Sequence, residues 1–274
     1  MKFISPKLFL LAFLSVALFS CNQEGEEIIS PQEEAIDAEL INDLSEVDMY
    51  VDDLVSQTQS ALKRSSEEVE KSNCPELIFK PFEQKLILDY GSGCSGSAGL
   101  TYQGKVIVSY TGVPGSTDVT YDISTEDFQV NDTQMEANIN DVAFGASEGA
   151  FHLNYTYDVS LTFKDASGMS VRGEKNVAWV VGFNDQNALN DEIQATGFSN
   201  GINRAGMAFS TIISEPLVRK TDCLNERSFI TVQGLLEVNP ARGFAFGIDY
   251  GVGSCDREVI VHTENDSYTI SLTR

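Results

Sequence analysis

Histidine and tryptophan are scarce in this chain of 274 residues, which has two histidines and one tryptophan. His152 and His262 are far apart in the sequence, and a zinc site would need further nitrogen, sulfur or carboxylate ligands beside them. The Cys-x-x-Cys spacing of zinc ribbons and redox domains does not occur either. We therefore expect neither a metal nor a cofactor.

Positive charge is also scarce. The chain has 18 lysines and arginines against 41 aspartates and glutamates, and its formal net charge is −23 at pH 7. Such an acidic surface is repelled by the phosphates of nucleic acids. We therefore expect no nucleic-acid partner, and the acidic residues are densest near the N-terminal end.

Only one long apolar run occurs, at residues 8–19, and it is preceded by Lys2 and Lys7. A helix needs about 20 apolar residues to cross a bilayer, so this run is too short to span one. A short basic flank, a short apolar core and a small residue at its end are typical of a cleavable signal peptide. The sequence predicts such a signal over residues 1–20.

The residues at the end of this run, Leu18-Phe19-Ser20-Cys21, resemble the lipobox of bacterial lipoproteins, although Phe19 is bulkier than usual. The resemblance implies that Cys21 is acylated and that the protein is held to a membrane by its N-terminal lipid. Two or three acyl chains anchor a protein without a spanning helix. The alternative is an ordinary secretory signal followed by an incidental cysteine.

Residues 21–32 are acidic and predict a flexible tether. The early acids Glu24, Glu26 and Glu27 resemble the export signal of surface lipoproteins in the Bacteroidota, but a solvated linker explains them equally well. Residues 33–63 predict one amphipathic helix, which we expect to pack on the domain that follows. Its apolar side chains recur every three or four residues: Ile36, Leu40, Leu44, Val47, Val51, Leu54 and Leu62.

From Cys74 to residue 274 the pattern changes to short β-branched and aromatic runs between Gly, Asn, Asp and Ser clusters. We expect an all-β antiparallel domain, either a sandwich or a long meander, preceded by one long N-terminal helix. The predicted strands are 85–90, 105–111, 118–124, 152–163, 176–182, 192–198, 206–212, 229–238, 244–250, 258–263 and 267–273.

Four cysteines remain besides Cys21, and an even number in an exported chain predicts disulfides, with three pairings open. The stretch LDYGSGC at residues 88–94 returns as IDYGVGSC at residues 248–255. Each copy is preceded by another cysteine and followed by a valine-rich strand. This repeat favours the pairs Cys74–Cys94 and Cys223–Cys255.

The DYGSGC and GKVIVSYTG elements at the start of the β domain, and DYGVGSCD near its end, resemble a group of uncharacterised lipoproteins of the Bacteroidota. The resemblance covers most of residues 74–274. It implies an outer-membrane lipoprotein, at the cell surface or on the periplasmic face. It carries no catalytic residues over.

Three motifs suggest chemistry but have simpler explanations. Residues 145–149 match the Gly-x-Ser-x-Gly nucleophile turn, yet no helix follows, so a hairpin loop is favoured. The glycine-rich residues 91–99 lack the helix that a phosphate loop requires, which favours a disulfide-bonded turn. Residues 184–192 have enough oxygen ligands for calcium but lack EF-hand spacing, which favours a solvated loop.

Two function classes remain. Aromatic side chains on strands could bind a glycan or a protein partner if exposed, although strand alternation could equally bury them: Tyr102, Tyr110, Tyr121, Tyr155, Tyr157 and Trp179. Carboxylate pairs suggest a carbohydrate-acting hydrolase: Glu126-Asp127, and Asp191-Glu192 with nearby Asp185. We expect a non-enzymatic binding or scaffold role, with the hydrolase as the alternative.

Overall fold

The computed structural model describes residues 38–65, 74–95, 100–114, 116, 118–147, 150–182, 191–220, 223 and 231–272. The predicted signal peptide, the lipidation site Cys21 and the tether lie outside the described residues. So do residues 96–99 of the glycine-rich turn and residues 184–190 of the candidate calcium loop.

A long helix, α1, spans Ala38–Ser65, with Glu39 in its first turn and Lys63 and Arg64 in its last. This placement of charge suits the helix dipole. The helix is buried over more of its circumference than the apolar stripe predicts, because Ile41, Tyr50 and Val55 are buried as well.

The rest of the described chain forms one 13-stranded antiparallel sheet in which every strand pairs with its neighbours in the sequence. The prediction of an all-β fold with one N-terminal helix is confirmed, in its long-meander form. The strands are β1 Glu76–Lys80, β2 Lys85–Ser95, β3 Thr101–Thr111, β4 Thr120–Val130, β5 Thr133–Ser147, β6 Ala150–Thr162, β7 Gly168–Val181, β8 Glu192–Ile202, β9 Ala208–Lys220, β10 Gln233–Pro240, β11 Phe246–Val252, β12 Glu258–His262 and β13 Ser267–Ser271.

The sheet curls around α1. Neighbouring strands are about 4.8 Å apart, so β2 and β11 would be about 43 Å apart in a flat sheet. Yet Tyr90 of β2 and Tyr250 of β11 reach Gln57 and Ser45 of α1. These two helix positions are only about 18 Å apart along the axis. The side chains that alternate inward along the strands therefore form one core with the helix.

Two glycines allow this curvature. Gly104 and Gly197 have φ angles of +85° and +150°, and both lie at register shifts in their strands. A Cβ atom would lie 2.1 Å from the carbonyl oxygen of Asp127 at Gly104, and 2.2 Å from that of Glu174 at Gly197. Only glycine fits these bulges, and bulges bend a strand and increase its twist.

Two disulfides fasten the sheet. Cys74, just before β1, is joined to Cys94 of β2 with a Cα–Cα distance of 6.2 Å. Cys223, after β9, is joined to Cys255, after β11, with a Cα–Cα distance of 5.3 Å. These are the pairs that the repeated sequence favours.

Candidate functional site

A buried cluster of four charges joins α1 to the sheet. Asp48 and Asp52 are four residues apart, so they project from the same side of the helix. Lys175 of β7 places its Nζ 2.9 Å from both carboxylate oxygens of Asp52 and also contacts Oδ1 of Asp48. Arg219 of β9 contacts both carboxylates. We call these four side chains the charge cluster.

The charge cluster has no net charge and is mostly buried. The side chains of Lys175, Arg219 and Asp52 are 4%, 10% and 14% exposed, whereas that of Asp48 is 27% exposed. Lys175 occupies an inward position of β7, two residues before buried Val177. Charges buried this deeply cost several kcal/mol each unless they are paired. Two carboxylates and two cations satisfy this requirement.

Tyrosines from β6 and β3 add hydrogen bonds to two neighbouring carboxylates of the helix. The hydroxyl of Tyr155 donates to Oδ1 of Asp52 at 2.5 Å, and that of Tyr102 donates to Oδ2 of Asp53 at 2.6 Å. Each ring fills the core while its hydroxyl finds a polar partner.

The six aromatics considered as an exposed binding row point into the core instead. Tyr102, Tyr110, Tyr121 and Tyr155 are buried, whereas Tyr157 and Trp179 are half-buried and pack against the core. Strand alternation accounts for this placement.

Burial and charge shift the pKa values of these groups in opposite directions. Desolvation alone would raise the pKa of Asp48, but Arg219 and Lys175 outweigh it and hold the pKa below its usual value. Burial raises the pKa of Tyr250 to about 12. At neutral pH the carboxylate is therefore ionised and the phenol is neutral.

A small cavity of about 40 Å³ adjoins the charge cluster. Its lining includes Asp48, Lys175, Tyr157 and Tyr250. One water needs roughly 10–15 Å³ on this scale, so a few waters fit. Sites for drug-sized ligands measure about 300–1,000 Å³. This cavity is therefore too small for a sugar.

A second ion pair holds the start of α1. Arg204, in the turn after β8, places Nε 2.8 Å from Oδ2 of Asp43, and its Nη1 lies 3.5 Å from Glu39. The guanidinium lies 3.2 Å from the ring centre of Phe163. Burial lowers the pKa of Arg204, but Asp43 and Glu39 outweigh burial and raise it.

The structure also groups three side chains that sequence analysis missed. His262 Nδ1 is 2.8 Å from Oγ of Ser267, and Nε2 is 3.6 Å from Oδ2 of Asp249. The pair of His262 and Ser267 could have been predicted from the sequence, because a tight hairpin places residues 262 and 267 opposite each other. The contact between Asp249 and His262 exceeds hydrogen-bond length. The group therefore lacks the oriented histidine of a catalytic triad.

The other candidate residues are dispersed. His152 lies half-buried on β6. Glu126 is exposed and lies 3.6 Å from Lys105. Asp127 is exposed at the bulge opposite Gly104, whereas Asp191 lies just before β8 and Glu192 is its first residue. Asp185 lies outside the described residues, and so does part of the Gly-x-Ser-x-Gly motif.

Among the described residues, no three or more His, Cys, Asp or Glu side chains are placed to hold a metal ion. No helix in the same part of the chain is both long and apolar enough to cross a membrane. Comparison with protein-family models, curated proteins and solved structures finds no match. Functional inference therefore depends on the residues themselves.

Proposed function

We propose that the protein is a lipid-anchored envelope protein of the outer membrane, at the cell surface or on the periplasmic face, with a non-enzymatic binding or scaffold role. The motif at residues 18–21 supports the anchor. Four cysteines placed in two pairs suit an oxidising, exported setting.

The observation that carries the non-enzymatic role is the closure of the charge cluster. Catalysis needs groups that meet a substrate and exchange protons with it. Asp48 and Asp52 are instead bound by Lys175 and Arg219, beside a cavity of about 40 Å³. These carboxylates stabilise the packing of the helix.

The outer face of the sheet offers a surface for a partner. Asn138, Asp158, Arg172 and Asn200 lie side by side across β5, β6, β7 and β8, and all four are exposed. We call them the outer polar row. Phe198, two residues from Asn200, is 52% exposed. Amide, carboxylate and guanidinium groups beside an aromatic ring suit the hydroxyls and apolar faces of a glycan.

Direct binding measurements test this proposal. The chain from residue 22, without its lipid, is titrated against a panel of purified envelope polysaccharides. We expect one of them to bind, and Arg172→Ala combined with Asn200→Ala to weaken that binding at least about tenfold, since two hydrogen-bonding groups are lost. Lys105→Ala, an outer-face change on β3, is the matched control.

The hydrolase alternative predicts a different result. If the purified chain cleaved a polysaccharide, and Glu126→Gln or Glu192→Gln abolished cleavage without lowering thermal stability, the binding role would be replaced by carboxylate catalysis. If no polysaccharide bound and none were cleaved, glycan recognition would be wrong, and a scaffold role would be the remaining form of the proposal.

A further inference from the structure

The charge cluster has the composition needed to form a covalent cross-link. We infer that the side chains of Lys175 and Asp48 condense to an amide, which joins α1 to β7 by an isopeptide bond. Nζ of Lys175 contacts Oδ1 of Asp48, and both oxygens of Asp52 lie 2.9 Å from the same nitrogen. A buried amine thus lies against one carboxyl group while a second carboxyl group is within proton-transfer distance.

The reaction balances without a cofactor or an oxidant. Nζ of Lys175 gives one proton to Oδ1 of Asp48 and then attacks Cγ of Asp48 as a neutral amine. Asp52 accepts the next proton from Nζ and delivers it to the departing oxygen of Asp48. One C–N bond forms, one C–O bond breaks, and one water molecule leaves.

The neighbouring residues fit these roles. Arg219 contacts Oδ2 of Asp48, the oxygen opposite the one that Lys175 approaches. A guanidinium there would stabilise the negative charge that develops on this oxygen during attack. The hydroxyl of Tyr155 donates to Oδ1 of Asp52 at 2.5 Å and holds that carboxyl group in place. Asp52 and Tyr155 are positioning and proton-transfer groups for the bond between the other two residues.

Charge balance also favours the product. Before condensation the charge cluster has two cations and two carboxylates. Afterwards Lys175 and Asp48 are neutral, and Asp52 remains paired with Arg219. No unpaired buried charge is created, so the usual cost of leaving one buried ion without a partner is avoided. Two groups held in contact in a fold react at effective concentrations far above those in solution.

The cross-link would have a mechanical consequence. The chain enters the described body at Ala38, so tension from upstream reaches α1 first. An amide between residues 48 and 175 would transmit that tension to the centre of the sheet. This inference does not depend on which partner the outer polar row binds.

Mass spectrometry of the full mature chain under reducing conditions tests the bond. We expect the intact mass to be lower by one water molecule than the mass of the unlinked sequence. Trypsin should fail to cleave after Lys175, so the peptide 173–204 should appear joined to the peptide that ends at Lys63. Lys175→Arg and Asp52→Asn should each restore the unlinked mass.

Lys164→Arg, at an exposed lysine paired with Asp132, is the control and should keep the linked mass. The wild-type measurement is decisive by itself, even if a cluster variant fails to fold. A wild-type population that is mostly at the unlinked mass and is cleaved after Lys175 would overturn the inference.

Discussion

Individual side chains determine how the first half of α1 is held. Asp43 is 2% exposed at its side chain, and its carboxylate is paired with Arg204. A buried ion pair adds little by itself, but removal of one partner leaves a buried charge without compensation. The stability of this contact therefore depends on both residues.

Arg204→Ala should destabilise the protein by about 3–5 kcal/mol, because Asp43 would keep its burial and lose its cation. Loss of the contact with Phe163 adds to this effect. The loss of stability is measured as a shift in the urea concentration at which half of the protein is unfolded. The control Lys164→Ala breaks an exposed pair and should cost under about 1 kcal/mol. Equal midpoints for the two variants would show that the Arg204 contact is not stabilising.

Tyr250 predicts a loss of stability in alkali. Its pKa is raised to about 12 in the fold, whereas an unfolded tyrosine titrates near 10. Between these two pH values Tyr250 keeps its proton in the folded state and loses it in the unfolded state. Its contribution to the free energy of unfolding is therefore complete below pH about 10 and is lost as the pH rises through about 12. Tyr250→Phe should make stability fall less steeply over this range.

Urea midpoints between pH 9 and 12 measure that slope, with Tyr268→Phe, at an exposed position, as the control. Identical slopes for Tyr250→Phe and the wild type would contradict the prediction.

The charge cluster was only partly predictable from the sequence. Lys175 lies one residue before the predicted strand 176–182, and Asp48 lies beside the apolar residue Val47 in the predicted helix. A charged residue next to predicted core positions can indicate a buried ion pair. Which partner it meets was not predictable, because Asp48 and Lys175 are 127 positions apart in the sequence.

At the scale of elements, the presence of a helix or strand was easier to predict than the residues at which it begins and ends. The apolar period predicts α1 over residues 33–63, and the structure describes it over Ala38–Ser65. The glycine-rich stretch after residue 90 predicts a turn, but β2 continues to Ser95 through a bulge at Gly91. Glycine permits both a turn and a bulge, and only pairing with β3 decides between them.

Strand β5 was missed because its outward positions have low strand propensity. Glu136, Asn138 and Asn140 are exposed and alternate with buried Met135 and Ile139. Asparagine and glutamate are disfavoured in strands. The strand was therefore not predicted, although apolar and polar residues alternate along it.

Gly197→Ala tests the bulge that bends β8. A Cβ atom there would lie 2.2 Å from the carbonyl oxygen of Glu174, at a φ of +150°. We expect a loss of at least about 2 kcal/mol, from backbone strain and the clash. Gly145→Ala is the control, since no atom lies within 4 Å of its Cβ position, and it should change stability by under about 0.5 kcal/mol. Equal effects would show that the close contact is relieved by local movement.

At the scale of the whole molecule, the proposed anchor predicts a simple separation. Cys21→Ser removes the thiol that would be acylated, so the chain should leave the membrane fraction and lose palmitate labelling. Ser20→Ala keeps a small residue before the cysteine and is the control. Labelling that persists in Cys21→Ser would contradict acylation at this residue.

Sequence patterns separate a helix at 33–63 from a β domain at 74–274 and predict that the helix packs on that domain; the described parts of residues 36–274 form one compact unit. The separation follows from the change in the spacing of apolar residues, from every three or four residues to every second residue. This spacing reports local structure only. The hydrogen bonds that unite the two segments join residues far apart in the sequence, by 33 positions between Gln57 and Tyr90 and by 103 between Asp52 and Tyr155. Local patterns carry no information about such contacts.

This unity predicts that the sheet cannot fold without its helix. Burial of one large apolar side chain stabilises a fold by about 1.5–3 kcal/mol, and ordinary domains are stable by only about 5–15 kcal/mol. Deletion of residues 38–65 should therefore abolish cooperative thermal unfolding and expose the chain to protease. Deletion of residues 22–32 is the control and should leave the unfolding temperature unchanged. A sheet that still unfolded cooperatively without α1 would show that the curled strands are stable alone. The buried apolar side chains lost with the helix are Leu40, Ile41, Leu44, Val47, Tyr50, Val51, Leu54, Val55, Ala61 and Leu62.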